Sequence, residues 1–387
     1  MINISSFSAL PFQIRVWALV GMVYLFVISS AIAENFFDTR YQYYQEDHNR
    51  IRVDSEYSLF SLDINDTLVL DGSLLYSAIS GASPTGLPAW TKGGNVPVVE
   101  MHDKRYAFTL GLAKQWQNHT IAAGFSYSNE SDYISYGYSL QDTISLNQKN
   151  TDLVLGFAIS DDTVGANGSA LSAAKRSYDA IIGINQILTP NDLLSVNLTL
   201  GWKQGYLSDP YKRTLFSGFF DYYGTIYPYD YVKGDVRPDR KFEQLLFAQW
   251  THYISWADAS METSYRFGHN DSDIFSHTAR IAFYKSFFDG RVTIGPSFRY
   301  YRQTAASFYD TQFKGNPKYY SSDYRLSAEQ TFTYGLQVRA YPIKALKDRL
   351  ALDLGYERYL IEGLDHKTSQ SAYPDANSIT VGMHWGF

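Results

Sequence analysis

Along most of this chain, apolar and polar residues alternate in runs of about ten, and turn residues separate the runs. Leu194, Val196, Leu198, Leu200 and Trp202 share one face of such a run, and Ser195, Asn197, Thr199, Gly201 and Lys203 share the other. Phe332, Tyr334, Leu336 and Val338 oppose Thr333, Gly335, Gln337 and Arg339 in the same way, and Leu350, Leu352, Leu354 and Tyr356 oppose Asp353, Gly355 and Glu357. A period of two sends successive side chains to opposite faces of a strand. Strands with one apolar and one polar face suit a wall with lipid on one side and water on the other. No helical period is sustained after Glu34, and the mean hydropathy of -0.26 excludes a polytopic helical membrane protein, which needs several apolar runs of about 20 residues.

The first 33 residues are different in kind. Met1 to Arg15 carry one charge, Arg15, and Val16 to Ile32 form an apolar stretch ending in Ala31-Ile32-Ala33. This reads as a secretory signal peptide cleaved before Glu34, with residues 34–387 as the mature domain. The other reading is an uncleaved N-terminal membrane anchor.

Short turns are expected at 65–67, 117–119, 147–150, 189–192, 256–258, 288–290 and 342–348. Eight mostly longer connections fall near 47–50, 81–102, 129–133, 161–176, 206–240, 269–273, 304–323 and 362–376. Together they imply sixteen strands in an all-β, antiparallel, up-and-down transmembrane barrel, with 14 or 18 if one hairpin is lost or gained. Facing is ambiguous where Leu59 adjoins Phe60 and along Leu245-Leu246-Phe247, and bulges would explain both. Bacterial barrels carry short turns on the periplasmic side, so both termini are expected there, in the outer membrane.

The final strand, Ile379, Val381, Met383, Trp385 and Phe387, ends on an aromatic residue. It resembles the signal that outer-membrane barrels present to their assembly machinery, which makes Trp385 and Phe387 the candidate assembly residues. A second resemblance covers nearly the whole mature chain. Ser80-Gly81-Ala82-Ser83-Pro84, Asp209-Pro210-Tyr211-Lys212, Arg237-Pro238-Asp239 and the run from Arg299 to Tyr309, with Tyr44 to Asp47 leading into Arg50-Ile51, carry it. By these motifs the chain is similar to a family of bacterial outer-membrane β-barrel proteins known only as a domain of unknown function. The resemblance implies a barrel and no particular activity.

What fills the interior decides what such a barrel does, because sixteen strands enclose a water-filled channel unless something occupies it. Alternation points Lys203, Glu262, Arg266, Arg280, Arg299, Arg339, Asp353 and Glu357 inward, with Asp71 and Asp179. These are candidate selectivity residues, or charges that hydrate and brace the wall. Residues 206–240 are the candidate constriction, since a loop of that length is functional or disordered. Its aromatic content argues for order. Asp209, Tyr211, Phe219, Phe220, Tyr222, Tyr223, Tyr227, Tyr229, Tyr231, Arg237 and Asp239 are the candidate loop or ligand residues. Either they fold into the pore or they belong to strands extended above the membrane.

Other chemistries find little support. The chain has no cysteine, which removes disulfides, thiolate metal sites and cysteine nucleophiles. A net charge of -6 argues against a nucleic-acid partner. No nucleophile elbow, zinc helix or phosphate loop is present, and adjacent Asp47 and His48 make a weak acid-base pair, so no enzyme is expected. The loop clusters Asn129, Glu130, Asp132 and Asn270, Asp271, Asp273 offer oxygen ligands but read as solvated tips, and no cofactor or metal is assigned. The sequence reading is an outer-membrane channel for small polar solutes, in contact with lipid. The alternative is a closed, surface-exposed barrel that binds or assembles with an unidentified partner.

Overall fold

The structure is a computed structural model that describes residues 35–91, 93–346 and 349–387. The expected signal peptide, residues 1–33, lies outside the described residues. Nine strands come first: β1 (Phe36–Glu46), β2 (Arg52–Asn65), β3 (Leu68–Pro84), β4 (Val98–Trp116), β5 (His119–Asn129), β6 (Tyr133–Leu146), β7 (Thr151–Gly165), β8 (Ser172–Thr189) and β9 (Asp192–Gly205). A hairpin follows, of β10 (Arg213–Tyr222) and β11 (Thr225–Gly234). The chain then returns to the wall with β12 (Arg240–Ile254), β13 (Ala259–Asn270), β14 (Phe275–Phe287) and β15 (Val292–Gln303). A short β16 (Gln312–Lys314) precedes β17 (Glu329–Ala340), β18 (Leu350–Gly363) and β19 (Ala376–Gly386).

Sixteen of these strands close into an antiparallel barrel, and β10, β11 and β16 form a separate small sheet. Closure is made by β1 against β19, from Phe36 opposite Gly386 to Glu46 opposite Ala376. Among the described residues no helix is long and apolar enough to cross a membrane.

Paired residues on neighbouring strands share a face, so the register fixes which side chains point out. On β9, Leu198 and Trp202 are 37% and 43% exposed on the outer face while Lys203 is 7% exposed on the inner one. The two ambiguous runs contain no bulge; among the described residues, register shifts fall at the turn ends, between Asp63 and Asn65 and between Ile187 and Thr189. Alternation simply continues through them. Leu59 is buried inside and Phe60 lies outside over Gly72, where an added Cβ would fall 2.3 Å from the ring. Leu246 faces out, and its neighbours Leu245 and Phe247 face in.

One end of the barrel carries the tight turns and the other the long loops. Several turn residues, such as Gln117, Gln148 and Asp258, have positive φ, as tight reversals demand. At the loop end, β3 and β4 stay paired to Pro84 and Val98, so the connection expected at 81–102 shrinks to 85–97. The connection expected at 304–323 runs to 328 and contains β16, which pairs in parallel with β10. An apolar cluster of Tyr44, Val53, Tyr359 and Ala376 sits inside the wall beneath these loops.

Candidate functional site: the loop cap and the inner wall

The connection between β9 and β12 does not stay above its own strands. Lys212, 3% exposed, donates from Nζ to the Pro84 carbonyl and, at 3.2 Å, to Ser83 Oγ, at the end of β3. The Arg213 backbone N–H donates to the Thr85 carbonyl at 2.7 Å. Gly86 permits this approach: its φ is +98°, and a Cβ there would lie 2.6 Å from the Arg213 carbonyl oxygen. Since β9 and β3 are six steps apart around the ring, the base of the loop crosses the mouth.

A buried ionic knot holds that crossing. Arg237 donates from Nε to Asp235 at 2.6 Å and from Nη2 to Asp323 at 2.9 Å. Arg325 forks onto Asp323, with Nε 2.9 Å from Oδ1, and reaches Asp209 from Nη2 at 2.5 Å. Asp235 also accepts the backbone N–H of Asp209 at 2.8 Å. Burial pushes the Asp323 carboxyl up, but Arg325, Lys212 and Arg237 outweigh it and hold it well below the usual carboxylate range. Burial dominates at Asp235, whose carboxyl is raised, and at Lys212, whose ammonium is lowered.

Further stitches extend this cap. The Tyr211 hydroxyl donates to Asp132 and accepts the Asn167 N–H at 2.8 Å. Gln303 donates to the carbonyls of Arg325 and Ser327 at 2.9 and 2.8 Å, and the Tyr309 and Thr368 hydroxyls meet at 2.5 Å. Val96, Ala372 and Tyr373 pack together under Tyr324. The Ser80–Pro84, Asp209–Lys212, Arg237–Asp239 and Arg299–Tyr309 motifs therefore meet in one place. Asp239 contributes its backbone carbonyl, which accepts the Gly205 N–H at 2.8 Å.

The aromatic part of the loop lies elsewhere. Phe219, Phe220, Tyr222, Tyr223, Tyr227 and Tyr229 are all exposed, with Tyr223 92% exposed, and the hairpin packs chiefly on itself and β16. These six residues are thus carried on a hairpin that pairs with itself, with their side chains open to solvent rather than buried in the cap. The strands β10 and β11 satisfy each other's backbone, so nothing obliges the tip to dock on the wall. Tyr231 differs, since it stacks on Phe216, the buried anchor between Phe313 and Tyr320.

The inward charges all fall on the inner face, most of them paired. Lys203 and Lys241 share Glu243, at 2.6 and 2.9 Å, close to Asp179. Arg339 forks onto Asp353 at 2.6 and 2.8 Å, with Arg40 at 3.9 Å. Arg280 meets Glu262 at 3.3 Å, and Glu357 accepts from the Tyr359 hydroxyl. On the β4 to β8 side, Arg105 pairs with Glu130 and Lys175 with Asp162. Asp71 faces in from β3, while Arg266 and Arg299 face in from β13 and β15.

Sequence reasoning missed Asp235, Asp323, Arg325 and Glu243. A signal was present: Asp235-Val236-Arg237 and Asp323-Tyr324-Arg325 repeat the same acid-x-arginine spacing in two loops. Asp47 and His48 part company, as Asp47 receives the fork of Arg358 at 2.8 and 2.7 Å while His48 is exposed. The carboxylates of Asp103, Glu130 and Asp132 approach within 4.8 Å of one another. Arg105, Tyr211 and the Ser131 N–H engage them from within the protein. In the other cluster, Asn270 and Asp271 cap the backbone N–H groups of Ser272 and Phe242.

Residues 16–380 match the family described as "Protein of unknown function (DUF3570)". The chain belongs to that family. No curated protein matches it. Among solved structures, CdiB from Acinetobacter baumannii is similar with a TM-score of 0.51 at 7% identity, covering 92% of this chain and 61% of that one. This chain thus spans less than two thirds of CdiB. A loop-deleted OmpT, an outer membrane protein of Vibrio cholerae, gives 0.41 at 9% identity over 92% and 98% of the two chains. The alcaligin outer-membrane receptor FauA of Bordetella pertussis gives 0.42 at 11% over 91% and 76%. At 7% identity the likeness of the DUF3570 chain to CdiB shows the barrel fold alone.

Proposed function

We propose that this protein is an outer-membrane channel for small polar solutes, with its termini in the periplasm and its outer mouth narrowed by the loop cap. A sixteen-strand wall encloses a wide aqueous space, and the inner face here carries paired charges and hydroxyls. The observation that carries the reading is the Lys212 to Pro84 crossing, which lays a braced segment across that space. Membrane lipid on the outer face and the barrel assembly machinery are the partners this reading requires. It calls for no catalytic step.

Planar-bilayer recording tests it. The purified protein should pass a steady, small current, and a variant with the ionic knot broken by Asp323→Asn should pass a larger one. Silence from both would overturn the channel.

The exposed aromatic tip of the hairpin favours a second reading, a closed barrel that displays a recognition element at the surface. On that reading, deleting the tip abolishes surface binding, and neither form conducts.

A further inference from the structure

The inner face of β13, β14 and β15 holds three arginines in two adjacent rows. Arg280 and Arg299 occupy directly opposed register positions, and Arg266 lies opposite Thr278, two residues from Arg280 on the same face. Like charges placed opposite each other destabilise a sheet. Arg266 and Arg299 are also close enough for their charges to repel. One carboxylate, Glu262, pairs with this group, and it is taken by Arg280.

The rest of the wall is built differently. Each other inward arginine and lysine described above has a carboxylate in ion-pair reach, whereas Arg266 and Arg299 have none among the described residues. Arg299 Nε is buried without a hydrogen-bond partner, and so is the hydroxyl of Thr333, which is 5% exposed and opposes Arg299 in register. A guanidinium has five donors and no acceptor, so what completes this site brings acceptors and negative charge. Planar forks match carboxylate and phosphate oxygens in pairs.

We propose that Arg266, Arg280 and Arg299 form an anion site on the inner wall, beneath the cap, that binds a small oxyanion, either a carboxylate or a phosphate. Thr333 supplies a hydroxyl beside Arg299, and the Tyr301 ring stands by Arg266 and Arg299. Where the channel reading holds, this site makes oxyanions the favoured solutes. The binding chemistry itself does not depend on conduction.

Titration calorimetry of the full chain in detergent, with succinate and with inorganic phosphate at fixed chloride, tests the proposal. Binding of either probe, weakened at least tenfold in the Arg266→Gln/Arg299→Gln double variant, is the expected result. Which probe binds tells carboxylate from phosphate. Because the substitutions relieve repulsion, the ligand-free double variant should melt no lower than the native protein, which separates a lost site from a lost fold. Absence of binding for both probes, or equal binding by the double variant, overturns the site. Binding by a protein that passes no current keeps the anion site and sinks the channel, while current without binding does the reverse.

Discussion

Arg237 and Asp323 are 86 residues apart in the chain and 2.9 Å apart in the structure, both almost wholly buried. Their pairing ties the loop between β9 and β12 to the loop between β15 and β17. Neither loop belongs to the repeating wall, so the cap they build is held by this ionic knot, by the β10–β16 pairing and by apolar contacts around Phe216 and Tyr373.

Removing one charge from a buried pair leaves the other uncompensated, at a cost of about 3 to 5 kcal/mol. Asp323→Asn should therefore loosen the cap while the sixteen-strand wall keeps its heat resistance. Hydrogen exchange of the Val236 and Tyr320 amides, which bond across the two loops at 3.1 and 2.8 Å, reads the cap separately from the wall. Unchanged protection there would remove the knot from its assigned role.

The hairpin tip should be dispensable for the pore. Replacing residues 219–230 with a short Gly-Ser linker is expected to leave single-channel conductance within experimental error, because the tip packs chiefly on its own hairpin and β16. A rise in conductance would return the aromatic residues to the lumen.

The pH response follows from Asp323. Its carboxyl is held low, so its contribution to the cap is full above the unfolded value of about 3.9 and is lost as pH falls below that value toward the folded one. Cap protection should therefore persist at pH 5 and collapse only under stronger acid. Loss of protection already between pH 7 and 5 would assign control to another group.

On β9 the two faces can be compared at adjacent positions. Leu198→Arg places a charge in the bilayer at a cost of about 2 to 4 kcal/mol, whereas Thr199→Arg places it in the lumen. Urea unfolding in lipid vesicles should show the first variant clearly less stable. Equal loss in both would mean that β9 does not face lipid as assigned.

Closure of the ring supplies the last test. The Phe387 backbone N–H donates to the Asn35 carbonyl at 2.9 Å beside the β1 to β19 seam, and its ring is 57% exposed. Deleting Phe387 should lower the yield of assembled barrel in the outer membrane more than shortening the 85–97 loop does. Equal yields of heat-modifiable protein would remove the assembly role of this end.

The order of the wall was legible in the chain because its cause is local. A period of two decides facing within a single strand, so Leu198, Thr199, Arg339 and Asp353 declared their sides without reference to any neighbour. The turn at Gln117-Asn118 likewise marks its own hairpin. Even Leu245-Leu246-Phe247, which looked irregular, obeys the pleat, since Leu245 fits over Gly268 on the inner side. What the tertiary structure alone decided is who meets whom at the mouth. Lys212 finds Pro84, and Arg237 finds Asp323, only after the ring has closed and brought distant loops together. Register likewise sets Arg266 opposite Phe247 and Thr278, and Arg299 opposite Arg280 and Thr333, so neither has a carboxylate across its ladders, and sequence spacing does not say which residues adjoining strands present.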